Sequence, residues 1–591
     1  MKNNRVSKYF IRLTVLVAVI LNSGCKDFLT EINPNQQTTA SFWKTLDDAD
    51  QGLTGVYNKF KDQNLFGYDI NNWSDMTMIG GNGRTATVTN ELYLETFTNS
   101  TKTVTNFWSS LYNGIFRANQ VIAGMKTVTY TNSLAEQNRA KYILGQAYFF
   151  RGLFYFYLYN TFNQGSVPIR DVNNMYDLYI KINSAAEVRA FYLNDLDSAY
   201  ANLPDNWRTS TKDFGRPTKG TAAAVLGQSY LYEKDYATAA TYFLDVINNT
   251  KYGNTSGYKL VPNIGDNFNV AGELNDESIL EICYSMNYLK DQAGGSNNGV
   301  ATSLARNLSN VGGYRSIIPA CWLEMAFREE ALDYSDARNM YPDGTFHLYS
   351  LRLAKSIACT LDTTSIYYGT KQNMMLTYGN KETSYFKKFT NWETPGVISE
   401  DKLLSQSGIN FRVIRLADVY LMYAECMMKG GTDDAGLNDA LTYINRVRHR
   451  SALQLLGPNN SGEFPTADHD NVSYTAQTLM DFLKWKERPM ELCLEGYAMR
   501  HIDLRRWGGV KDRLTFLSQQ IYGFKDFPNM NNATKAKFTN YNATLTRLSA
   551  PAVAPAVSVT EFVKAAQVYN SVCDYFPIPA DEETGNPNLY K

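Results

Sequence analysis

Two stretches of the sequence place aromatic side chains close to amides and guanidinium groups. A pyranose ring has an apolar C–H face that stacks on Trp or Tyr, and its hydroxyls need donors and acceptors such as Asn, Asp and Arg. The chemistry that these stretches favour is therefore sugar binding. The first stretch contains Tyr68, Asn72, Trp73, Asp75, Asn82 and Arg84. The second contains Tyr284, Tyr288, Asn297, Asn298, Tyr314 and Arg315.

Within these stretches we predict roles for five ligand-binding residues. The rings of Trp73, Tyr288 and Tyr314 would stack on a sugar. Asn72 and Arg315 would orient its hydroxyls. The alternative for each aromatic residue taken alone is packing in the core or in a loop, because Trp and Tyr are highly buried on average. The cluster thus indicates a site more strongly than any single member does.

Residues arranged for catalysis or metal binding are scarce. The sequence has no G-x-S-x-G, H-E-x-x-H or P-loop pattern, and its four histidines are not paired at metal-ligand spacing. We therefore expect no catalytic residues, no metal and no cofactor. The paired carboxylates of a glycosidase meet in space and not in sequence, so an all-α glycoside hydrolase stays open as a less favoured function.

Glu487, Glu491 and Glu495 are spaced by four and are predicted to form ion pairs with Arg488 and its neighbours.

The composition excludes several classes of protein. The chain has 591 residues, of which 44% are hydrophobic, 13% aromatic and 19% charged, and this rules out disorder for most of it. Its 57 basic and 58 acidic residues give a net charge of -1, so no long-range positive field is present to bind nucleic acid. The seven cysteines are spread too thinly to predict a disulfide network.

Helical periodicity supplies the frame that must position the candidate residues. Capping boxes at Ser133 with Glu136 and at Ser184 with Glu187, and Pro217 at a first helical position, mark helix starts. Strand-like stretches are sparse and short, so the body is predicted to be mainly α. The predicted helices are Phe107 to Met125, Leu134 to Tyr159, Ala185 to Leu203, Pro217 to Tyr232, Tyr236 to Asn248, Arg412 to Lys429, Leu437 to Arg450 and Thr478 to Trp507.

Two helical hairpins give this frame a tetratricopeptide-like character. Residues 217 to 248 alternate large and small side chains at the offsets of such a unit, although a generic hairpin is the alternative because Lys251 replaces the usual closing proline. Residues 411 to 450 look like a second hairpin, broken at Gly430-Gly431. Irregular segments rich in turn formers lie between the helices and are expected to carry the ligand site. These inserted segments are 64–105, 250–315 and 357–408.

The first 25 residues look like an export signal. Basic residues precede the apolar run Leu13 to Leu21, and Ser23-Gly24 precede Cys25. The run is too short to span a bilayer, so we predict a lipoprotein signal with acylation of Cys25. An ordinary secretory signal is the alternative. The predicted division of the chain is a signal peptide over 1–24, a lipid-anchored tether over 25–39 and a single body over 40–591.

Short motifs follow one another in a characteristic order along nearly the whole chain. They include Cys25-Lys-Asp-Phe-Leu, Asn33-Pro34, Phe42-Trp43, Arg117-Ala-Asn119, Phe150-Arg151, Gly215-Arg216-Pro217, Arg415-Leu-Ala-Asp418-Val-Tyr420, Glu487-Arg488, Asp503-Leu504, Arg506-Trp507-Gly508 and Phe576-Pro577-Ile578-Pro579. In this order the motifs resemble the SusD/RagB family of outer-membrane lipoproteins of the Bacteroidetes.

The resemblance implies a fold and a function. The fold would be mainly α, with tetratricopeptide-like helical hairpins that support a large, irregular, loop-rich variable lobe. The protein would be anchored by lipid to the outer membrane and exposed on the cell surface. There it would cap a SusC-like TonB-dependent transporter and deliver glycan to it for nutrient uptake. A peptide-binding, RagB-like role is the main alternative, and a pure assembly scaffold is a further one.

Overall fold

Helices make up most of the regular structure in the computed structural model, which confirms the mainly α prediction. The structure describes residues 42–81, 84, 87–285, 300–372, 382–393, 407–526, 543–553 and 557–591. The predicted signal peptide, Cys25, the tether and Tyr288 lie outside these described residues.

The helices are α1 (Leu46–Phe60), α2 (Gln63–Phe66), α3 (Lys102–Gly124), α4 (Leu134–Thr161), α5 (Ala185–Asn202), α6 (Lys219–Tyr232), α7 (Tyr236–Asn248), α8 (Leu304–Leu308), α9 (Cys321–Arg328), α10 (Leu351–Ser356), α11 (Leu416–Met427), α12 (Leu437–Arg450), α13 (Ala476–Phe482), α14 (Arg488–Glu491), α15 (Met499–Arg506), α16 (Val510–Ser518), α17 (Val563–Val568) and α18 (Ala580–Gly585).

Side-chain caps fix where several helices begin. The predicted capping box forms at Ser184, whose hydroxyl accepts from the Glu187 N–H while the Glu187 carboxylate accepts from the Ser184 N–H at 2.8 Å. At Ser133 the hydroxyl accepts from the Glu136 N–H, but the return bond from the Ser133 N–H to the Glu136 carboxylate does not form. The Glu136 carboxylate accepts hydrogen bonds from Thr131 instead. The boxes therefore locate both helix starts, although only one is complete.

The hairpin of α6 and α7 is the tetratricopeptide-like unit. Gly227 of α6 faces Phe243 of α7 so closely that a Cβ at Gly227 would lie 2.5 Å from the ring carbon Cε1. A larger side chain would push the two helices apart, which explains the small residue in the predicted pattern. The helix α6 begins at Lys219 with Thr218 as its N-cap, so Pro217 precedes the helix and does not occupy its first position.

Short strands join segments that are distant in sequence. The strands are β1 (Thr77–Ile79), β2 (Ser278–Ile282), β3 (Ile317–Pro319), β4 (Ile357–Cys359), β5 (Ile366–Tyr367), β6 (Thr370–Lys371), β7 (Ser384–Phe386), β8 (Phe411–Arg415), β9 (Ile521–Asp526), β10 (Ala543–Leu548) and β11 (Val557–Val559). The pairs β1 with β3, β2 with β8, β4 with β7 and β5 with β6 are antiparallel, and β10 and β11 flank β9. Because β8 pairs with β2, the helix predicted from Arg412 begins only at Leu416.

A second hairpin, formed by α11 and α12, packs beside the first. The helix α11 contacts both α12 and α7. Between α11 and α12 the chain turns at Gly430 and Gly431, whose φ values are 69° and 103°. The predicted break between the two helices is thus confirmed.

The long helix predicted from Thr478 to Trp507 is interrupted. The helix α13 continues through a π-helical turn, Leu483–Glu487, into α14, and the chain becomes helical again only at α15. Between α14 and α15 the backbone has left-handed φ values at Leu494, Gly496 and Ala498. A right-handed helix does not pass through that region of φ and ψ. Glu487 and Glu491, spaced by four, therefore lie on one continuous helical stretch, whereas Glu495 lies beyond its end.

The glutamates of this region form a buried ion network. Arg415 Nη1 lies 2.7 Å from Glu491 Oε1, and Arg448 Nη1 lies 2.8 Å from Glu487 Oε2. The prediction of ion pairs is confirmed, but the predicted partner is wrong, because Arg488 pairs with aspartates of α11 and α15. The network consists of Glu277, Glu330, Glu487, Glu491 and Glu495 with Arg352, Lys388, Arg415, Arg448 and Arg450.

A large hydrophobic core contains buried side chains from Leu46 in α1 to Leu589 near the end of the chain. A smaller cluster lies around α11, α12 and α13. Removal of this apolar surface from water is the main favourable contribution to folding. No helix in the described ranges is both long and apolar enough to cross a membrane.

Candidate functional site

Strands β1 and β3 bring the two predicted sugar-binding stretches together. Met78 of β1 pairs with Ile318 of β3, and beyond the strands the Gly80 N–H donates to the Ser316 carbonyl at 3.1 Å. The first stretch therefore lies against the second, directly beside Tyr314. We define the Tyr314 surface as Tyr68, Arg306, Tyr314, Arg315 and Ser316.

Gly80 lets the two loops approach this closely. A Cβ at Gly80 would lie 2.1 Å from the Arg315 carbonyl oxygen, which moves only if the strand pairing shifts. Gly80→Ala is therefore expected to lower the free energy of unfolding by about 1–3 kcal/mol, measured by chemical denaturation. Gly585→Ala in α18 is the matched control and is expected to be neutral or stabilising, because nothing in the described chain lies within 4 Å of its Cβ. Equal stability of the two variants would contradict the close approach.

Tyr314 presents an aromatic ring to solvent in a fixed position. The residue is 55% exposed. The Arg306 guanidinium carbon lies 4.3 Å from the ring centroid, and Arg306 Nη2 donates a hydrogen bond to the Tyr314 hydroxyl. The backbone N–H of Tyr314 donates to the Arg306 carbonyl at 2.7 Å. The ring is thus held by Arg306 while more than half of the residue stays open to a ligand.

Arg315 lies next to this ring and is partly engaged by protein groups. Its Nε lies 3.3 Å from Glu382 Oε2, and its Nη2 donates to the Gly81 carbonyl at 2.9 Å. Glu382 is buried and also accepts a hydrogen bond of 2.9 Å from the Tyr385 hydroxyl. The Arg315 side chain is still 26% exposed, so part of it faces solvent beside Tyr314.

Tyr68 adds a second aromatic hydroxyl to the surface. It is half-buried and forms a side-chain hydrogen bond with Ser316. Burial and the negative charge of Asp69 raise the pKa of Tyr68, so its hydroxyl stays protonated. The Ser316 hydroxyl donates to Asn307 Oδ1 at 2.9 Å. The Tyr314 surface therefore combines exposed ring area with hydroxyl and guanidinium groups, which is the combination that a sugar requires.

Trp73 is buried and does not offer a ring to a ligand. It is 0% exposed, and its indole stacks on His501 and Phe576 with centroid distances of 3.5 Å and 3.9 Å. The predicted stacking role of Trp73 is wrong, because protein covers the whole ring. Asn72 is only 1% exposed, so its predicted role in orienting sugar hydroxyls is also wrong.

Other members of the two stretches also serve packing. Asp75 is buried against two arginines, and Arg84 Nη1 lies 2.6 Å from Glu561 Oε1. Tyr284 is 8% exposed. Of the four predicted ligand-binding residues that the structure describes, only Tyr314 and Arg315 lie together at an open surface. The members that lie outside the described residues, and for which the roles stay predictions, are Asn82, Tyr288, Asn297 and Asn298.

Arg306 and Ser316 were not predicted from the sequence. Arg306 precedes Tyr314 by eight residues, a separation that neither helix nor strand periodicity brings together. The signal that precedes Tyr314 is Gly312-Gly313, because paired glycines indicate a turn that reverses the chain. Such a turn places residues on either side of it in contact.

Comparison with known proteins identifies the family. A model of the SusD family matches residues 276–591, more than half of the chain. The chain belongs to the SusD family. A second family model, described as starch-binding associating with outer membrane, matches residues 27–231. The resemblance carried by the order of the motifs is therefore confirmed.

Individual SusD-like proteins are similar over most of their length. A SusD-like protein of Bacteroides ovatus is 26% identical over 468 residues, which cover 75% of this chain and 76% of that protein. The crystal structure of a SusD homolog from Bacteroides thetaiotaomicron has a TM-score of 0.67 at 18% identity and covers 94% of this chain and 98% of its own. A laminarin-binding SusD-like protein has a TM-score of 0.62 at 20% identity, with coverage of 92% and 98%. The tetratricopeptide-like SusD fold predicted from the sequence is confirmed.

Proposed function

We propose that this chain is a cell-surface glycan-binding lipoprotein. It captures oligosaccharide at the Tyr314 surface and delivers it, uncleaved, to a SusC-like TonB-dependent outer-membrane transporter for nutrient uptake. Acyl chains on Cys25 anchor it to the outer membrane, residues 25–39 form the tether, and residues 40–591 form one ligand-binding body. Membership of the SusD family, the family model described as starch-binding and the shared fold of a laminarin-binding protein support this function.

The observation that carries the proposal is the exposed Tyr314 ring held by Arg306. A ring that is already fixed loses little conformational entropy when a sugar stacks on it. Arg315 would orient sugar hydroxyls beside the ring, and Tyr288 would add a second ring from the same inserted segment. A delivery protein must also release its ligand, so we expect a Kd in the micromolar to millimolar range, about -8 to -4 kcal/mol.

Tyr314→Ala is expected to weaken binding of the captured oligosaccharide about tenfold or more. Ring stacking and the apolar area that it buries together contribute about 1–2 kcal/mol. The measurement is calorimetric titration of the chain from Lys26 onward, which contains every described residue, with starch, laminarin and other oligosaccharides and with peptides. Products released in the same samples are analysed in parallel.

Tyr334→Ala is the matched control, because Tyr334 is 58% exposed and packs on Phe346, outside the Tyr314 surface. It is expected to leave binding unchanged. Release of shorter sugars would overturn the proposal in favour of a glycoside hydrolase. Binding of peptides alone would favour the peptide-uptake role, and an unchanged affinity of Tyr314→Ala would place the site elsewhere.

A further inference from the structure

Residues of the C-terminal half of the chain line a cavity with aromatic walls. Its volume is about 490 Å³. Ordinary ligand pockets have volumes of about 300–1,000 Å³, so this cavity is large enough to hold a ligand. Trp322 of α9, Trp485 of the π-helical turn, Phe516 of α16 and Tyr522 of β9 line it. None of the residues that define the Tyr314 surface lines this cavity. The two sites are therefore built from different side chains.

Arg513 lies among these rings and has an unused donor. It lines the cavity although the residue is only 8% exposed. Its guanidinium carbon lies 4.1 Å from the Trp322 ring centroid, 5.2 Å from that of Trp485 and 5.8 Å from that of Phe516. In the described part of the chain, Arg513 Nη2 has no hydrogen-bond partner. Buried polar groups are nearly always paired, so this donor indicates a place for an acceptor other than the described residues. We name this site the Arg513 cavity.

The charge behind the cavity wall favours an anionic acceptor. Asp75 is 1% exposed and is shared by two arginines: Arg513 Nε lies 2.7 Å from Asp75 Oδ2, and Arg500 Nε lies 2.7 Å from Asp75 Oδ1. One carboxylate thus faces two guanidinium groups, which leaves a net positive charge. A buried charge is costly unless it is paired, so a ligand carboxylate at Arg513 would be stabilised.

The other charged groups that line the cavity are mostly used. Glu329 pairs with Arg547, and Glu330 pairs with Arg352 of the buried network. Asp470 accepts a hydrogen bond of 2.6 Å from the Tyr474 hydroxyl. Lys486 is exposed at the cavity, where its Nζ lies 5.5 Å from the Phe482 ring centroid, and it forms no ion pair with a described residue. Arg513 and Lys486 therefore remain as positive charges that could contact a ligand, and Asp470 remains as a negative charge without an ion pair.

We propose that the Arg513 cavity is a second ligand site that binds a uronate, a sugar unit bearing a carboxylate. The carboxylate accepts hydrogen bonds from Arg513 Nη2, and the apolar face of the sugar ring stacks on Trp485 or Phe516. A neutral sugar would fill the same space but leave the donor unpaired. This inference extends the proposed glycan binding to a second site with its own charge preference.

The first test compares an acidic sugar with a neutral one of nearly the same shape. The chain from Lys26 onward is titrated with trisaccharides of galacturonate, glucuronate and mannuronate, and with their methyl esters. At least one uronate is expected to bind at least about tenfold more tightly than its ester, because esterification removes the charge. Equal affinity for acid and ester, or absence of binding by all three acids, would overturn the proposal.

Variants then place the acidic sugar in the cavity. Phe516→Ala removes a 53% exposed wall residue, and Arg513→Lys keeps the positive charge but loses the planar fork. Each is expected to weaken uronate binding about tenfold, with unfolding midpoints recorded to confirm a folded chain. Phe346→Ala, at a 42% exposed ring outside the cavity, is the matched control and is expected to bind normally.

Tyr314→Ala separates the two sites. It is expected to weaken capture at the Tyr314 surface and to leave the difference between uronate and ester intact. Loss of that difference in Tyr314→Ala, with no effect of Phe516→Ala and Arg513→Lys, would assign uronate binding to the Tyr314 surface and overturn the second site. Binding of peptides with a free C-terminal carboxylate in preference to every uronate would overturn the sugar assignment.

Discussion

Replacing Glu491 with glutamine is expected to lower the free energy of unfolding by about 3–5 kcal/mol. Glu491 is 0% exposed, and its carboxylate contacts three arginines. Arg415 Nη1 lies 2.7 Å from Oε1, Arg352 Nη1 lies 3.2 Å from Oε2, and Arg450 donates to Oε1. The amide keeps the shape of the side chain but removes its charge, so the guanidinium groups stay buried with less compensation.

Chemical denaturation of both chains measures this effect. Glu463→Gln is the matched control, because Glu463 is 40% exposed and pairs with Arg446 at the surface. A solvent-exposed ion pair contributes about 0–1 kcal/mol, so this variant is expected to lose little stability. Similar losses in the two variants would show that the Glu491 network does not hold the interior together.

The effect of Glu491→Gln should depend on pH. Burial by itself would raise the pKa of Glu491, but the charges of Arg450, Arg415 and Arg352 outweigh it and hold that pKa well below its ordinary value of 4.5. A carboxyl group whose pKa is lowered by folding stabilises the protein above its unfolded pKa, and the contribution is lost as the pH falls below that value. The stability difference between the two chains is therefore expected to be full near neutral pH and to shrink below about pH 4.5.

Trp73→Ala is expected to lower the free energy of unfolding by about 3–5 kcal/mol and to leave the affinity for oligosaccharide unchanged. The indole is fully buried against His501 and Phe576, and Phe97 meets it edge-on at 5.8 Å. Its removal leaves a cavity among aromatic groups that cannot close without moving α15 and the chain after α17. Denaturation and calorimetry on the same samples measure both quantities.

Trp73→Phe and Tyr314→Ala complete this experiment. Phenylalanine keeps part of the stacking, so Trp73→Phe is expected to lose less stability than Trp73→Ala. Tyr314→Ala is expected to show the reverse pattern, with stability nearly unchanged because Tyr314 is 55% exposed, and binding weakened. A Trp73→Ala chain that keeps its stability and loses binding would give Trp73 the ligand-stacking role after all.

Local sequence patterns were sufficient to predict most of the long helices, although α1 was missed. The starts of α4 and α5 follow from Ser133 and Ser184, whose side chains bond to backbone groups within the same turn. The hairpin of α6 and α7 follows from Gly227 opposite Phe243, because a small residue permits close packing of neighbouring helices. These interactions are close in sequence, so their residues meet whatever the rest of the chain does.

Long-range pairing decided where helical patterns stopped. Arg412 to Arg415 belong to the predicted helix, yet they lie in β8 because β2, distant in sequence, supplies the hydrogen-bonding partner. The charges of Glu487 and Glu491 indicated ion pairs, but their arginines come from α10, β8 and α12. A pattern within one segment does not specify which distant segment will approach it.

By itself the sequence determined the mainly α frame, the SusD family and the kind of chemistry that its inserted segments offer. It did not separate Trp73 from Tyr314, because each is an aromatic residue among polar neighbours in an irregular segment. The tertiary structure decided between them: His501 and Phe576 cover Trp73, whereas Arg306 holds Tyr314 and leaves it open. Exposure depends on which distant side chains pack over a residue, and that is settled only when the whole chain has folded.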